Sequence, residues 1–241
     1  MTPSPCFTPL ASLYYLLFDL DGTLTEPAPG ITASFAYAVQ SLGHAPPPLT
    51  ELRRFIGPPL RDAFVELLGT DDPALVEEAV RLYRERYGSI GIFENALHAG
   101  VPNVLTQLRN EGFQLRIVTS KPKVYAERII AHFGLSEFFA HVYGAELSGE
   151  RSNKAELIAY ALQSEAIQPR RACMIGDREH DIVGARANGT ASLGVTWGYG
   201  TAAELEAAGA DRVIRAVDEL LAASRDFSGS RQAPAQLLKS P

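Results

Sequence analysis

The sequence predicts an α/β fold, a doubly wound parallel sheet with a helical segment inserted after the first strand. Three observations predict it. From residue 101 onward, apolar strand-like runs alternate with amphipathic stretches, as in a parallel sheet covered on both faces. Between about residues 30 and 95 the periodicity is helical, with no convincing strand. Ahead of that stretch, Leu16–Leu24 reads LLFDLDGTL, an apolar run that stops at two aspartates one residue apart.

The elements follow in order. Tyr14–Leu20 reads as a buried strand. Thr25–Gly30 holds two prolines and does not read as a paired return strand, which weakens a hairpin at Asp21-Gly22. Ile31–Leu42 places Phe35, Val39 and Leu42 at helical spacing, and Gly43–Pro48 breaks the chain with three successive prolines. Leu49–Leu68 is helical on both sides of Gly57-Pro58-Pro59, which must interrupt it. Ala74–Tyr87 is amphipathic, with Val76, Val80, Tyr83 and Tyr87 on one face.

Val101–Asn110 is a helix with Pro102 near its start and Gly112 beyond its end. Phe113–Ser120 is a strand, and Val124–Phe133 a helix closed by Gly134. His141–Leu147 is a strand and Asn153–Ser164 a helix. Ala172–Gly176 and Ser192–Trp197 are strands flanking the helix Arg178–Asn188, which Gly189 ends. Ala202–Ala208 is a short helix before a strand at Arg212–Ile214. The domains expected are therefore a flexible lead at 1–12, a Rossmann-like core at 13–28 and 97–225, a helical cap at 29–96 and a flexible tail at 226–241.

Composition narrows the function. At 241 residues and 46% hydrophobic, the chain can bury a large core. A net charge of −6 without a basic run argues against nucleic acid polymers and anionic membranes as partners. No apolar stretch approaches the ~18 residues of a membrane span. The first twelve residues hold three prolines and no Lys or Arg, unlike a secretory signal. Two cysteines, Cys6 and Cys173, make no disulfide framework, and a reducing, cytoplasmic setting is expected. Arginine outnumbers lysine 18 to 4.

Open α/β sheets bind ligands at the carboxyl ends of their strands. Four such ends carry polar chemistry here: Asp19 and Asp21; Thr119, Ser120 and Lys121; Lys154 past the third strand; and Asp177 with Asp181. Each has an ordinary structural alternative: a turn at Thr119-Ser120, a helix cap at Asp177, dipole-favoured surface charge at Asp181, a solvated lysine at Lys154. Lys154 argues against its own. Asn153-Lys154-Ala155-Glu156 fits an Asn cap with Glu at the third helical position. The ammonium then sits in the first helical turn, where the dipole disfavours a cation, unless an anion shares the site. Taken together, the carboxylates can hold Mg²⁺ beside an anion gripped by a hydroxyl and an ammonium. These are the parts of phosphoryl transfer through an aspartyl-phosphate.

In Asp19-Leu20-Asp21-Gly22-Thr23, Thr119, Lys154, and Gly176-Asp177 with Asp181, the chain resembles the haloacid dehalogenase-like hydrolases. Phe55-Ile56-Gly57-Pro58-Pro59-Leu60, Thr119-Ser120-Lys121-Pro122 and Trp197-Gly198-Tyr199-Gly200 resemble the phosphoglycolate phosphatase-like branch, in its 5′-nucleotidase-like subgroup. The resemblance implies a small helical cap over the core and a Mg²⁺-dependent phosphatase. It implies Asp19 as nucleophile and Asp21 as acid, then base. Thr119, Ser120 and Lys154 would hold the phosphoryl group. Asp19, the main-chain carbonyl of Asp21, and Asp177 would hold the metal, with Asp181 orienting them. Gly57 and Arg61, in the loop that breaks the cap helix, are candidates for substrate selection, Arg61 by touching an anionic part of the substrate. The expected substrate is a small phosphorylated metabolite, phosphoglycolate or a nucleoside 5′-monophosphate, and the expected state a monomer or homodimer. The alternatives are a phosphomutase on the same core, a phospho-receiver, or a non-catalytic binding protein.

Overall fold

The computed structural model describes residues 14–232. The expected lead at 1–12, Cys6 and the end of the expected tail from 233 onward lie outside them.

The parallel sheet contains six strands. They are β1 (Tyr15–Phe18), β4 (Gln114–Pro122), β5 (His141–Ala145), β6 (Ala172–Gly176), β7 (Ala191–Val195) and β8 (Arg212–Ile214), in the order β5-β4-β1-β6-β7-β8. The chain leaves β1 toward β4 on one side and β6 on the other, so the winding reverses at β1 and opens a crevice at the carboxyl edge. Phe18 pairs with both Ile117 and Ile175. Asp19, Thr119 and Asp177, one or two residues further along, therefore leave the sheet at the same edge.

Alternation along the strands feeds two apolar layers. Leu16, Phe18, Leu115, Ile117 and Ile175 point into one, and Tyr15, Leu17, Val118 and Met174 into the other. Helices α5 (Val101–Asn110), α6 (Lys123–His132) and α10 (Leu220–Gln232) cover the first. Helix α7 (Lys154–Ser164) covers the second, with Leu157, Ile158, Ala161 and Leu162 buried, and α8 (Glu179–Ala187) adds Ala185. Helix α9 (Ala202–Ala208) fills the link between β7 and β8.

Between β1 and α5 the chain builds a helical insert: α1 (Ala28–Ser41), α2 (Leu49–Leu52), α3 (Leu60–Leu68) and α4 (Pro73–Ser89). Pro58 and Pro59 separate α3 from the short 3₁₀ turn Arg53–Phe55, and Gly69 closes α3 in the left-handed conformation. The insert has an aromatic centre of its own. The Phe35 ring lies 5.8 Å from Phe55, 5.2 Å from Phe64 and 4.8 Å from Tyr83.

Expectation and structure differ at the root of the insert and at the tail. Thr25–Glu26 is paired after all, as β2, antiparallel to β3 (Ala96–Leu97). Its partner lies at the far end of the insert, so no local hairpin signal marks it. The tail expected from 226 begins as helix: α10 runs to Gln232. Ser228-Gly229-Ser230 reads as coil by propensity, but Leu220 and Ala223 are buried and Phe227 packs beside them, and burial overrides the local preference. Among the described residues, no helix is long and apolar enough to cross a membrane.

Candidate active site

Asp19 follows the last residue of β1, and its N–H donates to the Ile175 carbonyl at 2.9 Å. The chain then turns sharply. The Leu20 carbonyl accepts from the N–H groups of Leu24 and Thr25, and Gly22 takes a φ of +85°. A β-carbon at Gly22 would meet an Asp177 oxygen at 2.3 Å, so only glycine fits against that carboxylate.

Lys154 is the first residue of α7. The Asn153 side chain caps the helix, accepting from Ala155 N–H at 2.9 Å and Glu156 N–H at 3.2 Å. The buried Lys154 ammonium donates to Asp19 Oδ1 at 2.9 Å and to the Val118 carbonyl at 3.1 Å, and pairs with Asp181 Oδ1 at 2.8 Å. Burial works against its charge, but Asp181 and Asp19 outweigh that and hold it well above the usual lysine range.

Asp177 is completely buried. Thr23 donates to its Oδ1 at 3.2 Å and the Tyr199 N–H to its Oδ2 at 2.7 Å. Burial, then Asp19 and Asp181, push its carboxyl up to about 8. Asp181 lies one turn into α8, where its Oδ2 accepts from the Arg178 N–H at 3.2 Å, and burial raises its pKa too.

Asp19, Asp177 and Asp181 each offer an oxygen within 4.8 Å of the others. Three buried carboxylates lie together and the Lys154 ammonium meets two of them, Asp19 and Asp181, so negative charge is in excess where burial makes it costly. The oxygen donors suit a hard divalent cation such as Mg²⁺. The donor set and its missing positive charge thus fit the metal the sequence implies.

Above this trio, a cavity of about 670 Å³ separates the sheet edge from the insert. Asp19, Asp21, Thr119, Ser120 and Lys154 line its core side. Thr119 is buried, and its hydroxyl accepts from the Lys121 N–H at 3.3 Å. Asp21 Oδ2 accepts from Lys121 Nζ at 2.6 Å, whereas Oδ1 is buried without a hydrogen-bond partner among the described residues. Burial raises the Asp21 pKa, and Lys121 only partly offsets it. On the insert side, Gly57 sits in the loop ahead of α3 with φ of +108°. Arg61 also lines the cavity, but its guanidinium is engaged by Glu77 of α4 through Nε and, at 3.1 Å, through a terminal nitrogen.

The site brings Asp19, Asp21, Thr119, Ser120, Lys121, Lys154, Asp177 and Asp181 to the sheet edge, with Gly57 and Arg61 across the cavity, and adds Thr23 and Tyr199 behind Asp177. Lys121 was marked by the scarcity of lysine, though its Asp21 partner is 100 residues away. Thr23 and Tyr199 lie in the segments Asp19–Thr23 and Trp197–Gly200, and only the fold brings them to Asp177.

Residues 16–195 match the family described as haloacid dehalogenase-like hydrolase. The chain is 46% identical over 199 residues to a 5′-nucleotidase of Pseudomonas aeruginosa, covering 82% of this chain and 90% of that one. It is 38% identical over 216 residues to the tyrosine-protein kinase PtkA of Mycobacterium tuberculosis, covering 88% and 73%. A predicted phosphatase from Clostridium acetobutylicum superposes with a TM-score of 0.83 at 41% identity, over 89% of this chain and all of that one. Sheet order, strand-end chemistry and sequence identity thus agree, and the chain belongs to the haloacid dehalogenase-like hydrolase family.

Proposed function

We propose that this chain is a Mg²⁺-dependent phosphatase that hydrolyses a nucleoside 5′-monophosphate through an aspartyl-phosphate on Asp19. The observation that carries the chemistry is the seating of Asp19: one oxygen held by Lys154 at 2.9 Å, on a cavity wall shared with Asp21 and Thr119. The other oxygen attacks phosphorus as the bond to the leaving alcohol breaks. Asp21, whose raised pKa favours the protonated form, gives its proton to the leaving oxygen. It then takes a proton from the water that attacks the phosphorus of the acyl-phosphate, and Asp19 departs as carboxylate. Thr119, Ser120 and Lys154 hold the phosphoryl oxygens.

Asp19, Asp177 and the main-chain carbonyl of Asp21 would hold the Mg²⁺, with Asp181 orienting Lys154. When bound, the cation supplies charge that lets a carboxylate approach an anionic ester. The helical insert is the cap that covers the site and selects the leaving group. The relative that is 46% identical carries the name 5′-nucleotidase, which supports a nucleoside. So does the cavity: about 670 Å³, walled on the insert side by Phe55, Tyr83 and Tyr87, is large and aromatic for a two-carbon leaving group.

Phosphate release from a panel of phosphate monoesters with Mg²⁺ tests this reading. Nucleoside 5′-monophosphates are expected to give the highest kcat/KM, with no requirement for a bisphosphate activator or a second acceptor. No phosphate from any ester, or turnover only with a second acceptor, overturns it in favour of a transferase or binding role.

A further inference from the structure

The loop Trp197–Gly200 follows β7 and takes no part in the chemistry above, yet it wraps Asp177. The Tyr199 N–H donates to Asp177 Oδ2 at 2.7 Å. A β-carbon on Gly198 would lie 2.4 Å from that oxygen, and one on Gly200 would lie 2.0 Å from the Asp177 carbonyl. Trp197 Nε1 anchors the loop by donating to the Thr23 carbonyl at 3.0 Å.

The same tyrosine reaches away from the site. Its hydroxyl donates to Glu26 Oε1 at 2.6 Å. Glu26 ends β2, where the chain enters the insert, and the same oxygen accepts from the N–H of Ala28, the first residue of α1, at 3.0 Å. From the insert, Arg53 contacts Glu26 Oε2 at 3.4 Å, and its guanidinium lies 5.9 Å from the Tyr199 ring centroid. Tyr199 thus holds the Asp177 carboxylate with its backbone and the root of the insert with its side chain.

We propose that Tyr199 is a positioning residue that ties the root of the helical insert to the Asp177 carboxylate, so that the seating of the insert sets how tightly the acidic trio takes a divalent cation. The inference rests on the metal role given above to Asp177, not on the identity of the substrate. Physically, a ligand oxygen is oriented by the donors behind it, and loss of such a partner commonly weakens metal binding by about 10–100-fold. Tyr199→Phe keeps the N–H to Asp177 but frees the loop from Glu26.

The test is titration of the free enzyme with Mn²⁺ alone, followed by electron paramagnetic resonance, for wild type, Tyr199→Phe, Glu26→Ala, the double variant, Glu26→Gln and Asp177→Asn. Because the direct N–H donor to Asp177 stays, Tyr199→Phe and Glu26→Ala are each expected to weaken Mn²⁺ binding by about three- to tenfold, at or below the low end for loss of a direct partner. The double variant should be no weaker than either alone, because both cut one connection. Glu26→Gln keeps an acceptor oxygen and should recover most of the affinity, a rescue that general destabilisation does not produce. Wild-type affinity in Tyr199→Phe, or additive losses in the double variant, overturns the inference. A wild type that binds no better than Asp177→Asn overturns this inference together with the metal site. Intact Mn²⁺ behaviour without phosphate release overturns only the phosphatase reading.

Discussion

At the scale of single residues, the site is a problem of charge. Asp19, Asp177 and Asp181 are buried together, and the Lys154 ammonium pairs with Asp19 and Asp181. Asp19→Asn removes the proposed nucleophile while keeping the shape, and hydrolysis of an aryl phosphate is expected to fall by at least about 10³-fold, measured as kcat. The charge excess also sets a pH dependence. In the metal-free protein the Asp177 carboxyl titrates near 8, against 3.8 for an ordinary aspartate. Between those values the folded protein holds a proton that the unfolded chain has released, so stability falls as pH rises through that window. Thermal unfolding after chelation should therefore show a lower midpoint at pH 8 than at pH 5. Added Mg²⁺ should raise the midpoint more at pH 8 than at pH 5, because protons compete less with a cation for the Asp177 carboxylate there. Equal midpoints without metal would contradict the burial assigned to Asp177. The residues legible in sequence were those whose meaning is local: two aspartates at a strand end, an Asn-capped lysine. Lys121 was visible as a rare residue but not as Asp21's partner, because that pairing exists only once β4 lies beside β1.

At the scale of elements, strands read best where apolar runs were long enough to be buried on both faces, as in Ala172–Gly176. Two elements escaped because neither is stabilised locally. The ladder of β2 with β3 joins residues about seventy positions apart, and α10 depends on contacts with the sheet layer. Phe227 is partly buried against the core where it lies in α10. Phe227→Ala is expected to cost about 1–2 kcal/mol in chemical denaturation, less than a fully buried phenylalanine because the ring is only partly covered. No change in the denaturation midpoint would mean that this turn contributes nothing to the fold.

At the scale of the whole molecule, a rigid sheet edge faces an insert with its own aromatic centre, and the cavity lies between them. On the proposed reading, that division puts the reacting groups on the sheet side and leaves selection of the leaving group to the insert side. Arg61 lines the insert side of the cavity, but Glu77 already occupies its guanidinium. Glu77→Gln weakens that hold, and KM for an ester with an anionic leaving group is expected to fall about two- to fivefold, with kcat little changed, since exposed pairs are worth under about 1 kcal/mol. An unchanged KM across neutral and anionic esters would remove Arg61 from substrate selection.

The two-residue ladder of Thr25–Glu26 with Ala96–Leu97 has a consequence for ancestry as well as for mechanics. Because departure and return of the chain are pinned side by side, everything between them can lengthen, shorten or be exchanged for a foreign module without stretching the sheet, and loop-closure cost grows only slowly with length. Glu26 belongs to the ladder itself, so a graft that omitted it would cut the hydrogen bond to Tyr199 as well as one rung of the ladder. Natural or engineered shuffling at this junction is therefore expected to retain an acceptor at position 26 whatever replaces the residues between the two strands.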